Sequence, residues 1–362
     1  MSVATILLAA GGTGGHLFPA EALAQVLSAR DCRVELISDQ RVDQYAKAFP
    51  AQAVHRITAG TVTGASLYGK LRGMVRLASG LVQARGIVRR INPAVVVGFG
   101  GYPTVPPLLA AALSGYKTII HDQNAVMGRA NRFLAKRATA IATGFPLSEA
   151  VFPDKTTHVG NPVRARVLKA AAIPYAPPTT GGMLHILVSG GSQGARVMSD
   201  VVPPAIAALP AALKARVALV QQARGEDEAR VRAFYQQAGI EAEVAPFFAD
   251  LPERVANAHL VIGRAGASTV AELGVIGRPA ILVPLPGALD QDQAANARVL
   301  GAVDAATVVA QPAFTPAWLT DELTTLFAAP QALEAKAARA RSIGIPDAAE
   351  RLADLVLRVA MA

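Results

Sequence analysis

Cysteine is almost absent from this chain of 362 residues: Cys32 stands alone. One thiol forms no intrachain disulfide and no cysteine metal site, which fits a reducing compartment. Aromatic residues make up 5%. With no RNA-binding motif present, that scarcity argues against nucleic acid as a partner. Charge is sparse too, at 17% of residues against 52% hydrophobic, a globular composition that excludes disorder. The segment 94–116 carries no charge at all. Gly98, Gly100, Gly101, Pro103, Pro106 and Pro107 interrupt it, so a strand, a loop and a helix over 108–113 are expected there, not a membrane span. The first ten residues lack a basic flank and a cleavage site, and read as a strand instead of a signal peptide.

Acidic residues are missing altogether between Asp43 and Asp122, a stretch holding Lys47, Arg56, Lys70, Arg72, Arg76, Arg85, Arg89, Arg90 and Lys117. The net charge is +9, and residues 1–163 account for all of it, with 17 Lys and Arg against 8 Asp and Glu. A one-sided basic surface seeks an anionic partner.

The length exceeds what one core usually holds, so two domains are expected. In the first half, apolar strands over 5–10, 33–38, 94–98 and 117–121 alternate with helical stretches such as 19–29, the rhythm of a parallel sheet. A Pro/Gly-rich stretch over 173–182 suggests a linker, and then the opening repeats. A strand over 185–189 leads into Gly190-Gly191-Ser192-Gln193-Gly194-Ala195, as the first strand leads into Gly11-Gly12-Thr13-Gly14-Gly15-His16. Further strands are expected near 216–221, 243–246, 260–263 and 280–284, and an amphipathic helix over 347–361. The boundaries that follow are a first domain over 1–165, a linker over 166–182, a second domain over 183–342 and a terminal helix over 343–362.

Glycines after a strand let backbone approach a phosphate, and the next helix offers free N–H groups. Neither loop matches a dinucleotide G-x-G-x-x-G or a P-loop. The duplication is what points to a phosphate or sugar ligand, since ligands of open α/β sheets lie at strand C-terminal edges. A third stretch, Gly266-Ala267-Ser268-Thr269-Val270-Ala271-Glu272, follows a strand and opens a helix. It reads either as a pyrophosphate seat with Glu272 on a ribose or as a capping box, Thr269-x-x-Glu272. The polar run Asp290-Gln291-Asp292-Gln293 enters another helix after the neighbouring strand.

Taken in order, Gly-Gly-Thr-Gly-Gly-His at 11–16, Gly-Gly-Tyr at 100–102, His-Asp-Gln-Asn at 121–124, Gly-Asn-Pro-Val-Arg at 160–164, Gly-Gly-Ser-Gln-Gly-Ala at 190–195, the 266–272 stretch and Gln293-x-x-Asn296-Ala297 cover nearly the whole chain. The set resembles the MurG family of UDP-N-acetylglucosamine transferases. The resemblance implies an α/β fold of GT-B type, with two Rossmann-like parallel-sheet domains facing a cleft and the C-terminal helix returning to the first domain. It implies an inverting transfer of N-acetylglucosamine from UDP to the C4 hydroxyl of the muramoyl sugar of lipid I, yielding lipid II, with no metal and no cofactor. Donor contacts carried over are Thr13, Gly14, Gly15, Asn124, Arg164, Ser192, Ala267, Ser268, Thr269, Val270, Ala271, Glu272 and Gln293, with Phe248 beside the uracil. The partners implied are UDP-N-acetylglucosamine, lipid I, an anionic membrane surface and other cell-wall synthesis proteins. The place implied is the cytoplasmic face of a bacterial inner membrane. Four features depart from the family pattern: Asp122 where Glu is usual, Ser199 where Asn is common, Phe248 where a smaller aliphatic is frequent, and a slightly long loop over 286–289.

The attacking hydroxyl needs a base. His16, at the mouth of the first loop, is the first candidate because histidine titrates near neutrality; the other reading has it only orienting the loop. Asp122 is the second candidate. Asp290-Gln291-Asp292 has metal-binding spacing but falls within the family's glutamine-containing donor loop. The stretch 68–90 interleaves Leu71, Met74, Val75, Leu77 and Leu81 with Lys70, Arg72 and Arg76, which suits either an anionic leaflet or an ordinary domain helix. Competing readings are a UDP-N-acetylglucosamine 2-epimerase, a dinucleotide oxidoreductase with Glu35 or Asp39 on the ribose, and a non-enzymatic nucleotide-binding module.

Overall fold

The computed structural model describes residues 4–11, 14–42, 49–59, 67–147, 152–191, 194–287 and 291–362, excluding the side chains of 67–72. The chain divides into two compact units, Met1–Arg164 with Pro346–Ala362, and Ala165–Ile345.

The first unit holds β1 (Thr5–Ala9), β2 (Arg33–Ser38), β3 (Ala53–Arg56), β4 (Val95–Gly98), β5 (Thr118–Asp122), β6 (Ala140–Thr143) and β7 (Thr156–His158). They pair in the order β3-β2-β1-β4-β5-β6-β7, and every pairing is parallel. Side chains alternate across a strand, and both faces of β1 are apolar. Ile6 and Leu8 enter one core with Leu23, Leu27, Leu352 and Val356. Leu7 and Ala9 enter another with Val88, Leu108 and Leu134. Burial on both sides is why these strands read as continuous apolar runs.

Two helices begin earlier than the sequence suggests. The first runs over Gly14–Ala29, because the glycines form its first turn instead of preceding it. The helix Val105–Leu113 carries Pro106 and Pro107 in its first turn, where no N–H is needed. The prolines that break the apolar run over 94–116 therefore start a helix. No described helix is long and apolar enough to cross a membrane.

The helix Leu67–Ile91 lies against Val105–Leu113. Gly80 lets the same helix pass close to the segment after β3, since a Cβ there would lie 2.2 Å from the Thr58 carbonyl oxygen. Met74, Val75 and Val82 are 51%, 62% and 74% exposed, beside exposed Arg76, Arg85, Arg89 and Arg90. Leu77 and Leu81 do not join that face: they pack against the core with Ala84 and Val88. The terminal helix Ala348–Met361 packs on Gly14–Ala29, with Arg30 paired to Asp354 at 2.6 Å.

The second unit holds β8 (Leu184–Ser189), β9 (Val217–Gln222), β10 (Ala242–Ala245), β11 (Leu260–Gly263), β12 (Ala280–Leu282) and β13 (Ala306–Val308), in the order β10-β9-β8-β11-β12-β13. All its pairings are parallel. Residues 166–182, expected as a linker, belong to this unit. They begin within a helix, Ala165–Ala170. The buried Arg278 donates to the carbonyls of Ile173 and Pro174, and Arg341 donates to that of Ala171. Composition marked a tether; the guanidinium groups of buried Arg278 and exposed Arg341 hold it down.

Candidate active site

Each sheet reverses its strand order once, between β1 and β4 in the first unit and between β8 and β11 in the second. Loops leaving such neighbouring strands diverge and open a crevice at their C-terminal ends. All the glycine-rich stretches singled out from sequence leave these four strands.

In the first unit, the β1 loop delivers His16 on the first turn of its helix, and the β4 loop delivers Gly100 and Gly101, at φ 82° and 79°. The imidazole rests on that turn: a Cβ on Gly100 would lie 3.5 Å from its Nε2, and one on Gly101 3.4 Å from its Cε1. The positive φ favours glycine at both positions, and the ring lies at ordinary contact distance from each. Burial, then the nearby Arg41 charge, lower the His16 pKa to about 4. The expectation of titration near neutrality is thus corrected: the imidazole is neutral throughout the physiological range. Gly14 is buried and Gly15 exposed. Thr13, the other donor contact expected here, lies outside the described residues.

The end of β5 builds a second wall. His121 is buried, with Nε2 donating to the Gly160 carbonyl at 3.0 Å and Nδ1 accepting from Gln123 at 3.1 Å. Burial holds its pKa near about 4. Asp122 turns out to staple its own loop. Its Oδ1 accepts from the Asn124 N–H, and its Oδ2 accepts from the Gly128 N–H and Asn131 Nδ2, all within 3.0 Å. A buried carboxylate so engaged orients Asn124 and lends no support to a role as base. Arg164 lays its guanidinium 3.8 Å from the centre of the Phe18 ring and acts electrostatically on Glu21. It is thereby held beside the helix that carries His16.

In the second unit, Gly190 and Gly191 follow β8. Gly190 admits no side chain, since a Cβ would lie 2.2 Å from the Ala195 nitrogen. Ser192 lies outside the described residues, as does Asp290 of the Asp-x-Asp spacing. After β11 comes Arg264, buried, donating to the carbonyls of Val283 and Pro284 and to Gln311 Oε1. Burial, then Arg224, lower its pKa. Gly266 caps the helix Ala267–Ile276. Ala267, Ser268, Thr269, Ala271 and Glu272 are half-buried on its opening turns, while Val270 points into the core. The cap of this helix is Gly266, so Thr269 stands inside the first turn and not at the cap position that a Thr269-x-x-Glu272 box requires. The next loop is latched to it: buried Asn296 donates to the Ala265 carbonyl at 3.2 Å, and Gln293 Oε1 accepts from the Leu285 N–H at 3.0 Å. Phe248, buried after β10, has the Arg254 guanidinium 4.4 Å from its ring centre.

Glu35 does not reach a ribose position. It lies inside β2, buried, bonded to Arg33 and to His55 Nε2 at 2.6 Å. Asp39, just past that strand, holds Arg41. Glu35 is thus unavailable as the ribose carboxylate of a dinucleotide reading, and Asp39 is already paired with Arg41. Among the described residues, no group of three or more His, Cys, Asp and Glu could hold a metal ion.

Sequence reasoning missed Asn131, Gln222 and the anchoring role of Arg264. For Gln222 a signal existed: two glutamines, Gln221 and Gln222, end an otherwise apolar strand. For Asn131 there was none, because its partners lie nine and ten residues away across a turn.

Comparisons with known proteins follow the same two-unit division. The glycosyltransferase family 28 N-terminal domain matches residues 6–143, and the glycosyltransferase family 28 C-terminal domain matches residues 185–352. The UDP-N-acetylglucosamine–N-acetylmuramyl-(pentapeptide) pyrophosphoryl-undecaprenol N-acetylglucosamine transferase of Methylobacterium nodulans is 59% identical over 361 residues, 98% of this chain and 97% of that protein. The protein of the same name from Rhodopseudomonas palustris is 56% identical over 358 residues, 98% of each chain. The crystal structure of Acinetobacter baumannii MurG superposes with a TM-score of 0.79 at 28% identity, covering 98% of this chain and 99% of that one. A putative UDP-N-acetylglucosamine 2-epimerase from Listeria monocytogenes reaches 0.67 at 12% identity over 97% of this chain and 95% of its own, a likeness of fold alone.

Proposed function

This chain belongs to glycosyltransferase family 28, and from that membership we infer that it transfers N-acetylglucosamine from UDP-N-acetylglucosamine to lipid I, forming lipid II. The observation that carries this reading is the extent of similarity: 59% identity runs through both units and over 98% of the chain. Resemblance confined to one Rossmann-like unit would speak only for nucleotide binding.

The chemistry follows from the residues. A bond forms between the acceptor C4 oxygen and the sugar C1 while the bond from C1 to the UDP oxygen breaks. UDP leaves with the electron pair and gains negative charge. The N-terminus of the helix Ala267–Ile276, with Ser268 and Thr269, supplies hydrogen-bond donors and a partial positive charge to that leaving group. Glu272 takes the ribose hydroxyls, Gln293 the donor sugar and Phe248 the side of the uracil. Thr13, Gly14, Gly15, Asn124, Arg164 and Ser192 complete the donor contacts. His16, already neutral, accepts the hydroxyl proton as the new bond forms. A base with so low a pKa has little driving force until the hydroxyl becomes acidic in the transition state, so the proton moves late. Asp122 holds Asn124 in place.

The exposed Met74, Val75 and Val82, with the arginines around them, suit an anionic membrane surface. A lipid-linked acceptor calls for docking of this kind. The reading makes the protein peripheral to the cytoplasmic face of the inner membrane, within reach of other cell-wall synthesis proteins.

Incubation with labelled UDP-N-acetylglucosamine and a soluble lipid I analogue, without added metal, tests the reaction. Disaccharide and UDP are the expected products; epimerised donor without disaccharide overturns it. His16→Ala should lower kcat by about a hundredfold, within the usual range for a lost general base, and leave the donor KM nearly unchanged. Intact turnover would remove His16 as the base.

A further inference from the structure

We propose that Gln222 is a positioning residue for donor binding, whose single side-chain amide couples the second glycine loop to the segment that carries Phe248. The inference rests on the donor-binding reading of the second unit.

Gln222 is the last residue of β9, and its side chain is buried among the ends of three adjacent strands. Its Oε1 accepts from the Gly190 N–H at 3.0 Å and from Ser189 Oγ at 3.2 Å. Its Nε2 donates to the Gly191 carbonyl and to the Pro246 carbonyl, both at 3.1 Å. Ser189 Oγ in turn accepts from the Gly191 N–H at 3.4 Å. Both N–H donors and both acceptor lone pairs of the amide are used. The contacts reach residues 24 to 33 positions away in the chain.

The partners give this network a purpose beyond core satisfaction. Gly191 has φ 79°, a conformation without side-chain restraint of its own. Gln222 holds that peptide from both sides, through the N–H of one glycine and the carbonyl of the next. The same amide fixes Pro246, two residues before Phe248. A donor grip divided between the β8 loop and the β10 end needs both at a fixed separation. Small displacements of positioned groups are costly in binding and catalysis. Gln221, its neighbour, has no such reach: its bonds go to Tyr235 and Met198, inside the core.

Three variants test this: Gln222→Ala, the milder Ser189→Ala, which removes one arm of the network, and Tyr235→Phe, which removes a buried hydrogen bond from the same strand without touching either loop. UDP affinity by calorimetry, donor KM, kcat and Tm are measured for each. Gln222→Ala should weaken UDP binding and raise donor KM about tenfold, the effect of one to two net hydrogen bonds, with kcat changed less. Ser189→Ala should shift the same quantities about threefold. Tyr235→Phe should lower Tm with donor KM unchanged. If Gln222→Ala and Ser189→Ala lower Tm but leave UDP affinity and donor KM at wild-type values, the inference fails and the donor-binding reading stands. A wild-type chain that does not bind UDP overturns that reading itself. Should Gln222→Ala not fold, Ser189→Ala decides alone.

Discussion

His16, His121 and His259 are held neutral, each with its pKa lowered to about 4, chiefly by burial. The direction fixes a pH dependence. In the unfolded chain each imidazole takes a proton near 6.5, whereas in the folded chain it does so only near 4. The unfolded state therefore binds more protons between those values, and stability falls as pH drops through that window. Above pH 6.5 none of the three contributes to the slope. The steepest contribution of one imidazole is about 1.4 kcal/mol per pH unit. His121→Gln, which keeps a donor for the Gly160 carbonyl, should make the fall in urea midpoint between pH 6.5 and 4.5 shallower. An unchanged slope would mean that His121 is not buried as a neutral base. Asp122 teaches a related lesson. As a carboxylate beside His121 it reads as a possible base, yet its oxygens close a loop. Sequence shows which groups can ionise, but not which lone pairs remain available.

Two helices of the first unit divide their surfaces differently. In Ala348–Met361 the apolar residues Leu352, Ala353, Leu355 and Val356 all face inward, so its periodicity was legible. Its place against Gly14–Ala29 depends on a chain return that no local pattern encodes. Leu352→Ala should destabilise the first unit by about 2–5 kcal/mol, the usual cost of a buried leucine truncated to alanine. Differential scanning calorimetry would show it as a lowered transition. If the helix were only appended, the transition would not move. In Leu67–Ile91 the apolar residues fall on both sides. Leu77 and Leu81 serve the core, while Met74, Val75 and Val82 serve the outside. The basic stripe was legible there. Which leucines it borders was not, because Leu77 and Leu81 pack against a core assembled from residues distant in the chain.

Across the whole molecule, charge is distributed by region. The excess of +9 lies within residues 1–163, and the remainder is balanced. If the first unit meets an anionic surface, vesicles containing acidic phospholipid should retain the protein at about 0.1 M salt and release most of it near 1 M, where the Debye length falls to roughly 3 Å. Val82→Asp should weaken retention at low salt as well. Retention by neutral vesicles equal to that by acidic ones would remove the electrostatic part of the proposal.

The sequence by itself determined the alternation of apolar strands and helices, the three glycine-bearing turns and the family to which the chain belongs. These features depend on residues close in the chain: side-chain period, glycine after strand, N–H groups at a helix start. It missed short β3, β6, β7 and β13, whose three or four residues carry too little pattern to stand out. Only the tertiary structure decided that β1 lies beside β4 and β8 beside β11, and so that His16 rests on Gly100 and Gly101. It alone showed the carboxylate of Asp122 consumed within its own loop, the stretch 166–182 anchored by Arg278 and Arg341, and the amide of Gln222 spanning two loops. The physical reason is common to all of these. A buried polar group must find its partner wherever strand order brings one, and strand order joins residues that the chain itself keeps far apart.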